Sequence, residues 1–219
     1  FDIGGAHLKV ARAEGGRIVA AVTIATPLWQ GLDRLRTALD EAAPVYEGAD
    51  LLAFTMTGEL SDIFRTREIG VAKLLGEIAE RFGELEKCVY AGRSGFVAVD
   101  QAAAIPVDVA SANWHATASL VAAITGDALF VDMGSTTTDI IAITAGVVAN
   151  RGYTDAERLL TGELVYTGFT RTFLFAVASS APVRGAITPL MNEYFASIAD
   201  VHRILGVLDE ADDKHPSAD

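Results

Sequence analysis

Two short segments, one in each half of the chain, have the same order of residue types. Each reads as a buried apolar strand, then Asp-x-Gly, then small or hydroxyl residues, then a return to apolar alternation: Phe1–Lys9 and Leu129–Ile140. Glycine lets backbone N–H groups approach an anion closely, and hydroxyls add further donors. A single Asp-Gly hairpin turn is common and would be weak evidence. Two at matching places predict a pair of phosphate-binding hairpins that hold one phosphorylated ligand from both sides of a cleft.

Composition excludes several classes of function. The chain has 219 residues, of which 51% are apolar, so it can bury a full core in one or two domains. Its net charge of −12 argues against a nucleic-acid or anionic-membrane surface, which would need clustered Lys and Arg. The single cysteine, Cys88, cannot form an internal disulfide and indicates a reducing cytoplasm. We therefore expect a cytoplasmic protein with a small phosphorylated substrate, no nucleic acid and no membrane as partners; a homo-oligomer stays open.

The order of predicted elements restarts once along the chain. The first half reads as three strands within Phe1–Pro27, a helix to Tyr46, a strand at Leu51–Thr55, a helix at Ile69–Phe82, a strand at Cys88–Tyr90 and a helix at Ala110–Thr125. The second half reads as strands from Ala128 to Asp132, at Asp139–Thr144 and at Val147–Arg151, then helices at Asp155–Thr161 and Leu190–Leu205. This order is that of the ribonuclease-H-like module.

We therefore predict an α/β fold of two tandem ribonuclease-H-like modules, of the actin and sugar-kinase type, whose mixed sheets flank a cleft. The first module is residues 1–125 with the first phosphate loop, and the second is residues 126–219 with the second loop. The chain begins inside a strand and ends in a polar segment. We expect a few further apolar residues before Phe1 and an incomplete second module at the C-terminus.

These motifs resemble a known superfamily, that of acetate kinase, sugar kinases, heat-shock chaperone ATPases and actin. Within it, the segment Asp132–Asp139 is similar to the second phosphate loop of hydantoinase/oxoprolinase-type proteins. Five further segments strengthen the match: Phe1–Lys9, Thr55–Leu60, Ala110–Trp114, Arg151–Glu157 and Thr161–Gly168. Together they make nearly the whole chain resemble the hydantoinase/oxoprolinase-related proteins of tetrahydromethanopterin-linked one-carbon transfer.

The resemblance implies a transferase of methanofuran-type cofactor biosynthesis. Archaeal relatives form the furan–phenol ether of methanofuran, in which the phenol oxygen of γ-glutamyltyramine replaces diphosphate on an aminomethylfuranylmethyl group. Because the furan delocalises positive charge, the main task is to stabilise the leaving diphosphate with donors and Mg²⁺ held in advance. No glycine-rich adenosine motif is visible, which leaves ATP binding open. The alternatives are an ATP-dependent kinase, a hydantoinase/oxoprolinase-type hydrolase, or a non-catalytic nucleotide-binding sensor.

The candidate site residues fall into groups by role. Phosphate contacts are expected from Gly4, Gly5, Lys9, Gly134, Ser135, Thr136 and Thr137. Catalytic roles are expected for Asp2, Asp132 and Glu59, and metal binding, mostly through water, for Asp2, Asp132 and Asp139. Substrate contacts are expected from His7, Thr57, Asn113, Arg151 and Glu163. The competing interpretations are ordinary ones: turn-capping aspartates, a solvated Lys9, a core histidine at His7 and a helix N-cap at Glu59.

Overall fold

The computed structural model describes residues 1–211 and residue 213. Most of the polar end of the chain, to which the expected incompleteness of the second module refers, lies outside these residues. The chain divides into two compact units, Phe1–Leu120 and Val121–Asp219. The division falls inside a helix, a few residues before the predicted boundary at 125. Among the described residues, no helix has both the length and the apolar character needed to cross a bilayer.

The first unit contains a six-stranded mixed sheet in the order β3-β2-β1-β4-β5-β6. Its strands are β1 (Asp2–Ile3), β2 (His7–Glu14), β3 (Arg17–Ala25), β4 (Leu51–Met56), β5 (Glu86–Tyr90) and β6 (Phe96–Ala98). The helices are α1 (Leu32–Tyr46), α2 (Arg67–Phe82), α3 (Val99–Ala104), α4 (Pro106–Val109) and α5 (Asn113–Thr125), the last of which continues into the second unit. Strands β1, β4 and β5 are parallel, so the residues that follow them meet at one edge of the sheet.

The apolar periodicity of the first half correctly predicted the buried helix faces. In α2 the residues Val71, Leu74, Leu75, Ile78 and Phe82 are all buried. Each such side chain contributes about 1.5–3 kcal/mol relative to an exposed one. Leu28 was expected to begin the first helix, but it lies in a separate turn because Gly31, with φ 129°, ends that turn before α1 begins. Leu28 is nevertheless fully buried.

The second unit contains a four-stranded sheet and a separate hairpin. In the sheet β10-β8-β7, strand β9 also pairs with β8, and β11 pairs only with β12. The strands are β7 (Ala128–Met133), β8 (Thr138–Thr144), β9 (Val147–Val148), β10 (Leu164–Val165), β11 (Ser180–Val183) and β12 (Ala186–Pro189). The helices are α6 (Asp155–Thr161), α7 (Leu174–Val177) and α8 (Ile198–Leu205).

Two predicted elements of this unit are shorter than expected, for identifiable reasons. The predicted strand to Arg151 ends at Val148, and the N–H groups of Arg151 and Gly152 instead donate to the Glu163 carboxylate. The predicted helix from Leu190 begins only at Ile198, because Asp200 accepts hydrogen bonds from the Ser197 N–H and hydroxyl and so caps the helix there. The α/β class is confirmed. The tandem modules and their cleft stay predictions.

Candidate functional site

The two Asp-x-Gly segments form hairpins with the same local geometry. In the first, β1 and β2 are antiparallel and the Gly4 N–H donates to the His7 carbonyl at 3.0 Å. In the second, β7 and β8 are antiparallel and the Gly134 N–H donates to the Thr137 carbonyl at 2.8 Å. Both hairpins predicted from the sequence are confirmed.

The second turn, residues 134–137, presents hydrogen-bond donors to solvent; we call it the second phosphate loop. Ser135 and Thr136 are exposed and Thr137 is half-buried. Among the described residues, none accepts a hydrogen bond from the N–H groups of these three residues. The hydroxyls of Ser135 and Thr136 are 3.5 Å apart, within reach of one ligand oxygen. Adjacent N–H groups without a described protein partner, together with exposed hydroxyls, suit an anion.

The segment 167–172 holds the carbonyl side of this loop. The Phe169 N–H donates to the Gly134 carbonyl at 2.9 Å, and the Arg171 N–H donates to the Ser135 carbonyl at 2.8 Å. Gly168 packs so closely that a Cβ there would lie 2.5 Å from backbone atoms of Ser135 and Thr136. These contacts fix the backbone of the loop through its carbonyls, while its N–H groups have no described partner.

Asp132 and Asp139 face each other across the β7–β8 pair, and a buried arginine compensates one of them. Arg158, whose side chain is 2% exposed, donates from Nη2 to Asp139 Oδ1 at 2.7 Å and to the Glu163 carbonyl at 3.1 Å. Burial raises the pKa of Asp139 above its ordinary value; the hydrogen bond and charge of Arg158 oppose this rise, and Asp132 adds to it. Sequence reasoning missed Arg158, because nothing in its helical context signals a partner on a distant strand.

The Glu163 carboxylate clamps the loop that contains residues 151 and 152. Its Oε1 accepts from the Arg151 N–H at 2.6 Å, and its Oε2 accepts from the Gly152 N–H at 2.9 Å and the Thr161 hydroxyl at 2.8 Å. Glu163 is buried, whereas Arg151 is exposed. The clamp therefore fixes the backbone beside Arg151. Substrate binding by Glu163 and Arg151 stays a prediction.

In the first unit, Asp2 lies between two strands at the start of the first loop. Its neighbours in register are Lys9 on β2 and Thr55 on β4. Lys9 Nζ is 3.4 Å from Asp2 Oδ2, and the lysine side chain is 61% exposed, so this pair contributes little to stability. Asp2 Oδ1 and Thr55 Oγ1 are buried and have no hydrogen-bond partner among the described residues. These two neighbouring residues of β1 and β4 therefore each have a polar atom whose hydrogen-bonding capacity is unused by the described residues.

The turn after β4 packs directly on the first loop. The Thr57 N–H donates to the Ile3 carbonyl at 2.9 Å, and a Cβ on Gly58 would lie 3.1 Å from the same oxygen. A Cβ on Gly4 would lie 3.7 Å from Thr57 Oγ1, so the structure brings Thr57 beside the loop, as its predicted role requires. Gly5 lies in the turn of the first loop and His7 begins β2; both are half-buried.

Glu59 is the buried carboxyl of this region. It is 2% exposed, and its Oε1 accepts from the Ser111 hydroxyl at 2.8 Å. Its Oε2 is buried without a hydrogen-bond partner among the described residues. Burial raises the pKa of Glu59, and the Ser111 hydrogen bond opposes that rise only in part. Ser111 has φ 53°, and the sequence did not indicate its contact with Glu59.

The segment that follows Ser111 contains a second polar group that sequence reasoning missed. The Tyr90 hydroxyl lies 2.7 Å from His115 Nδ1 and 3.1 Å from the Ser119 hydroxyl. Asn113 Oδ1 accepts from the Trp114 N–H at 2.8 Å, so its amide oxygen serves the start of α5. Trp114 is buried. A substrate contact by Asn113 stays a prediction.

We expect Glu59→Gln to stabilise the protein at neutral and alkaline pH but not in acid. The folded pKa of Glu59 is raised above its ordinary 4.5, so the folded state binds this proton more tightly than the unfolded state. Its contribution to stability is therefore complete below the unfolded pKa and lost as pH rises through the folded pKa. Thermal melts from about pH 4 to about pH 8 should show a gain that grows with pH. Glu84→Gln, which removes an exposed carboxylate, is the control. A gain for Glu59→Gln that is constant with pH would contradict the burial argument.

Comparison with known proteins gives consistent matches. The sequence model of the hydantoinase/oxoprolinase family matches residues 50–216. The chain is 36% identical over 214 residues to the (4-{4-[2-(gamma-L-glutamylamino)ethyl]phenoxymethyl}furan-2-yl)methanamine synthase of Methanocaldococcus jannaschii, covering 97% of this chain and 63% of that protein. The synthase of the same name from Methanococcus vannielii is 43% identical over 84 residues, 38% of this chain and 37% of that protein. The chain thus spans less than two thirds of the length of these curated relatives. The matches confirm the family resemblance that the motifs indicated.

Proposed function

The chain belongs to the hydantoinase/oxoprolinase family, and we propose that it is a transferase that joins an aminomethylfuranylmethyl diphosphate (the furan diphosphate) to the phenol of γ-glutamyltyramine. The name of the Methanocaldococcus relative describes a phenoxymethyl-furan ether of this kind. The structural observation that carries the proposal is the second phosphate loop, with three adjacent N–H groups that have no partner among the described residues. Such a loop suits a diphosphate leaving group.

In the proposed reaction, the bond between the furan methylene carbon and the diphosphate oxygen breaks, and the electron pair leaves with diphosphate. The phenol oxygen forms the new bond to that carbon, and its proton is released to a base. Donors that are already oriented stabilise the developing charge without reorganisation. Glu59 is our candidate for the base, because burial raises its pKa above the ordinary carboxyl value and one of its oxygens has no described hydrogen-bond partner.

The second phosphate loop suits a magnesium ion that is held by one carboxylate together with substrate phosphates, and not one that is held by a cluster of carboxylates. No group of three or more His, Cys, Asp and Glu that could hold a metal ion is found in the part of the chain that the structure describes. Asp139 is hydrogen-bonded to Arg158, whereas Asp132 is exposed. Mg²⁺ is often held by one or two carboxylates together with substrate phosphates and water, and Asp132 fits that mode. When bound, Mg²⁺ would neutralise charge on the leaving diphosphate. In this proposal Asp139 positions Arg158 and is not a metal ligand.

We expect Asp132→Asn to lower activity at low Mg²⁺ and to recover part of it at high Mg²⁺. The substitution removes the exposed carboxylate that would help to capture the metal, while the donors of the loop remain. A titration of initial rate against Mg²⁺ measures this shift. Thr136→Ala is the contrasting control, since loss of a donor to the leaving group typically costs about 2–4 kcal/mol in the transition state and added metal should not restore it. Equal activity of Asp132→Asn and the parent at every Mg²⁺ concentration would contradict the metal role.

The reaction itself is tested by incubating the protein with the furan diphosphate, γ-glutamyltyramine and Mg²⁺, and measuring the ether and diphosphate. For the proposed transferase we expect both products in equal amounts, with no requirement for ATP. The sequence left an ATP-dependent kinase, a hydantoinase/oxoprolinase-type hydrolase and a nucleotide sensor as alternatives, so a parallel calorimetric titration with ATP is informative. Tight ATP binding with turnover would favour a kinase or hydrolase, and tight binding without turnover a nucleotide sensor. Either result, together with no ether product, would overturn the proposal.

A further inference from the structure

An arginine that sequence reasoning did not single out lies beside the second phosphate loop. The Arg171 N–H donates to the Ser135 carbonyl at 2.8 Å, which fixes this residue against the loop. On either side of it, the Thr170 N–H also reaches the Ser135 carbonyl at 3.3 Å, and the Thr172 hydroxyl accepts from the Gly168 N–H at 2.8 Å. The backbone at Arg171 is therefore held at several points.

The side chain of Arg171, in contrast to its backbone, is not used by the protein. The residue is exposed and forms no ion pair with any residue that the structure describes. The other arginine of this region, Arg158, is buried and bound to Asp139. Arg171, whose backbone is bound to the loop, thus carries a charge that is not paired with any described carboxylate.

The first hairpin shows that the backbone contact does not need an arginine. There the Leu28 N–H donates to the Gly5 carbonyl at 3.0 Å, and Gly5 follows Gly4 as Ser135 follows Gly134. Leu28 is fully buried, so at the equivalent contact the first unit packs an apolar side chain into its core. The second unit makes the same contact and places an exposed cation there. The charge at this position is therefore a feature of the second loop alone.

We infer that Arg171 binds the diphosphate of the donor substrate together with the donors of the second phosphate loop. This inference rests on the proposed function. A guanidinium presents a planar pair of N–H donors that matches two phosphate oxygens, so it adds both charge and orientation to a site otherwise made of neutral donors. A second observation concerns Thr170, whose Oγ1 is buried without a hydrogen-bond partner among the described residues, next to the same loop.

Calorimetric titration with inorganic diphosphate and Mg²⁺ tests the inference. Arg171→Ala should weaken diphosphate binding roughly tenfold or more, because a hydrogen bond to a charged group is lost. Arg171→Lys should keep part of the affinity. Arg184→Ala is the matched control, since Arg184 is also exposed and lies in the β11–β12 turn. The Michaelis constant for the furan diphosphate should rise in parallel for Arg171→Ala, and thermal melts should show that all variants fold.

The outcomes separate the inference from the function on which it rests. Tight diphosphate binding by the parent with unchanged binding by Arg171→Ala would overturn the inference alone. No diphosphate binding by the parent would overturn both. A parallel titration with Mg²⁺-ATP distinguishes the source of the phosphates: a loss confined to ATP would show that Arg171 serves a nucleotide, which would overturn its assignment to the donor diphosphate. An Arg184→Ala variant as weak as Arg171→Ala would show a general charge effect and would equally overturn it.

Discussion

Gly168→Ala is expected to lower the turnover of ether formation by about a hundredfold or more. The new Cβ would meet the carbonyl carbon and oxygen of Ser135 and the nitrogen of Thr136, all at 2.5 Å. These are backbone atoms, so either the second phosphate loop or the segment 167–172 that holds it must move, and both changes disturb the loop's support. A displacement of about 1 Å in a positioning element can cost about 10²-fold in rate. The measurement is the single-turnover rate at saturating furan diphosphate and Mg²⁺.

Gly76→Ala is the matched control for this substitution. Gly76 lies in α2, and a Cβ there would have no neighbour within 4 Å. Alanine is the better helix former, so this variant should be as active as the parent and slightly more stable, by up to about 1 kcal/mol. A Gly168→Ala variant with the turnover of the parent would show that the geometry of residues 134–137 does not govern the chemistry.

Arg158→Met is expected to destabilise the second unit by about 3–5 kcal/mol, the range typical of removing one partner of a buried ion pair. The methionine keeps most of the apolar volume, so the loss reflects chiefly the Asp139 carboxylate, which is left without its 2.7 Å hydrogen bond. The Glu163 carbonyl also loses a donor at 3.1 Å. Chemical denaturation at neutral pH, followed by a probe in the second unit, measures the free energy of unfolding.

Two comparisons make this prediction specific. Arg93→Met removes an arginine whose side chain is 60% exposed and whose Nε lies 3.9 Å from Asp108 Oδ1, and such a surface pair is worth about 0–1 kcal/mol. The double variant Arg158→Met with Asp139→Leu should recover much of the loss, because a buried ion pair can often be replaced by apolar side chains at little cost. A single Arg158→Met variant as stable as the parent would refute the view that this arginine compensates Asp139.

Local sequence signals predicted the parts of the fold that depend on local physics. The hairpin at Asp132–Asp139 follows from apolar alternation around a turn, and α6 has the predicted bounds because Thr154 and Glu157 form a capping box at its start. The α8 start was misjudged because the apolar spacing extends upstream of the Ser197 cap. The β11–β12 hairpin was not predicted, since most of its residues are exposed and show no in–out alternation.

The candidate site was only partly predictable for a related reason. The donors of the second phosphate loop are contiguous in sequence, so the Asp-x-Gly pattern indicated them directly. The groups that support the loop come from elsewhere: Gly168 and Arg171 lie on a segment that reaches it through backbone hydrogen bonds, which no residue pattern encodes. Glu59 was chosen from its motif, but its burial and its contact with Ser111 depend on tertiary packing.

In the proposed reaction, diphosphate leaves intact from carbon while the phenol oxygen is retained in the product. It is tested most directly with γ-glutamyltyramine carrying ¹⁸O at the phenol, followed by mass spectrometry of all products. Displacement at carbon predicts ¹⁸O in the ether and none in the released diphosphate, without consumption of ATP. Label in an aryl phosphate, or ether formed only with ATP hydrolysis, would show that the second phosphate loop serves phosphoryl transfer. Either result would contradict the proposed displacement of diphosphate at carbon.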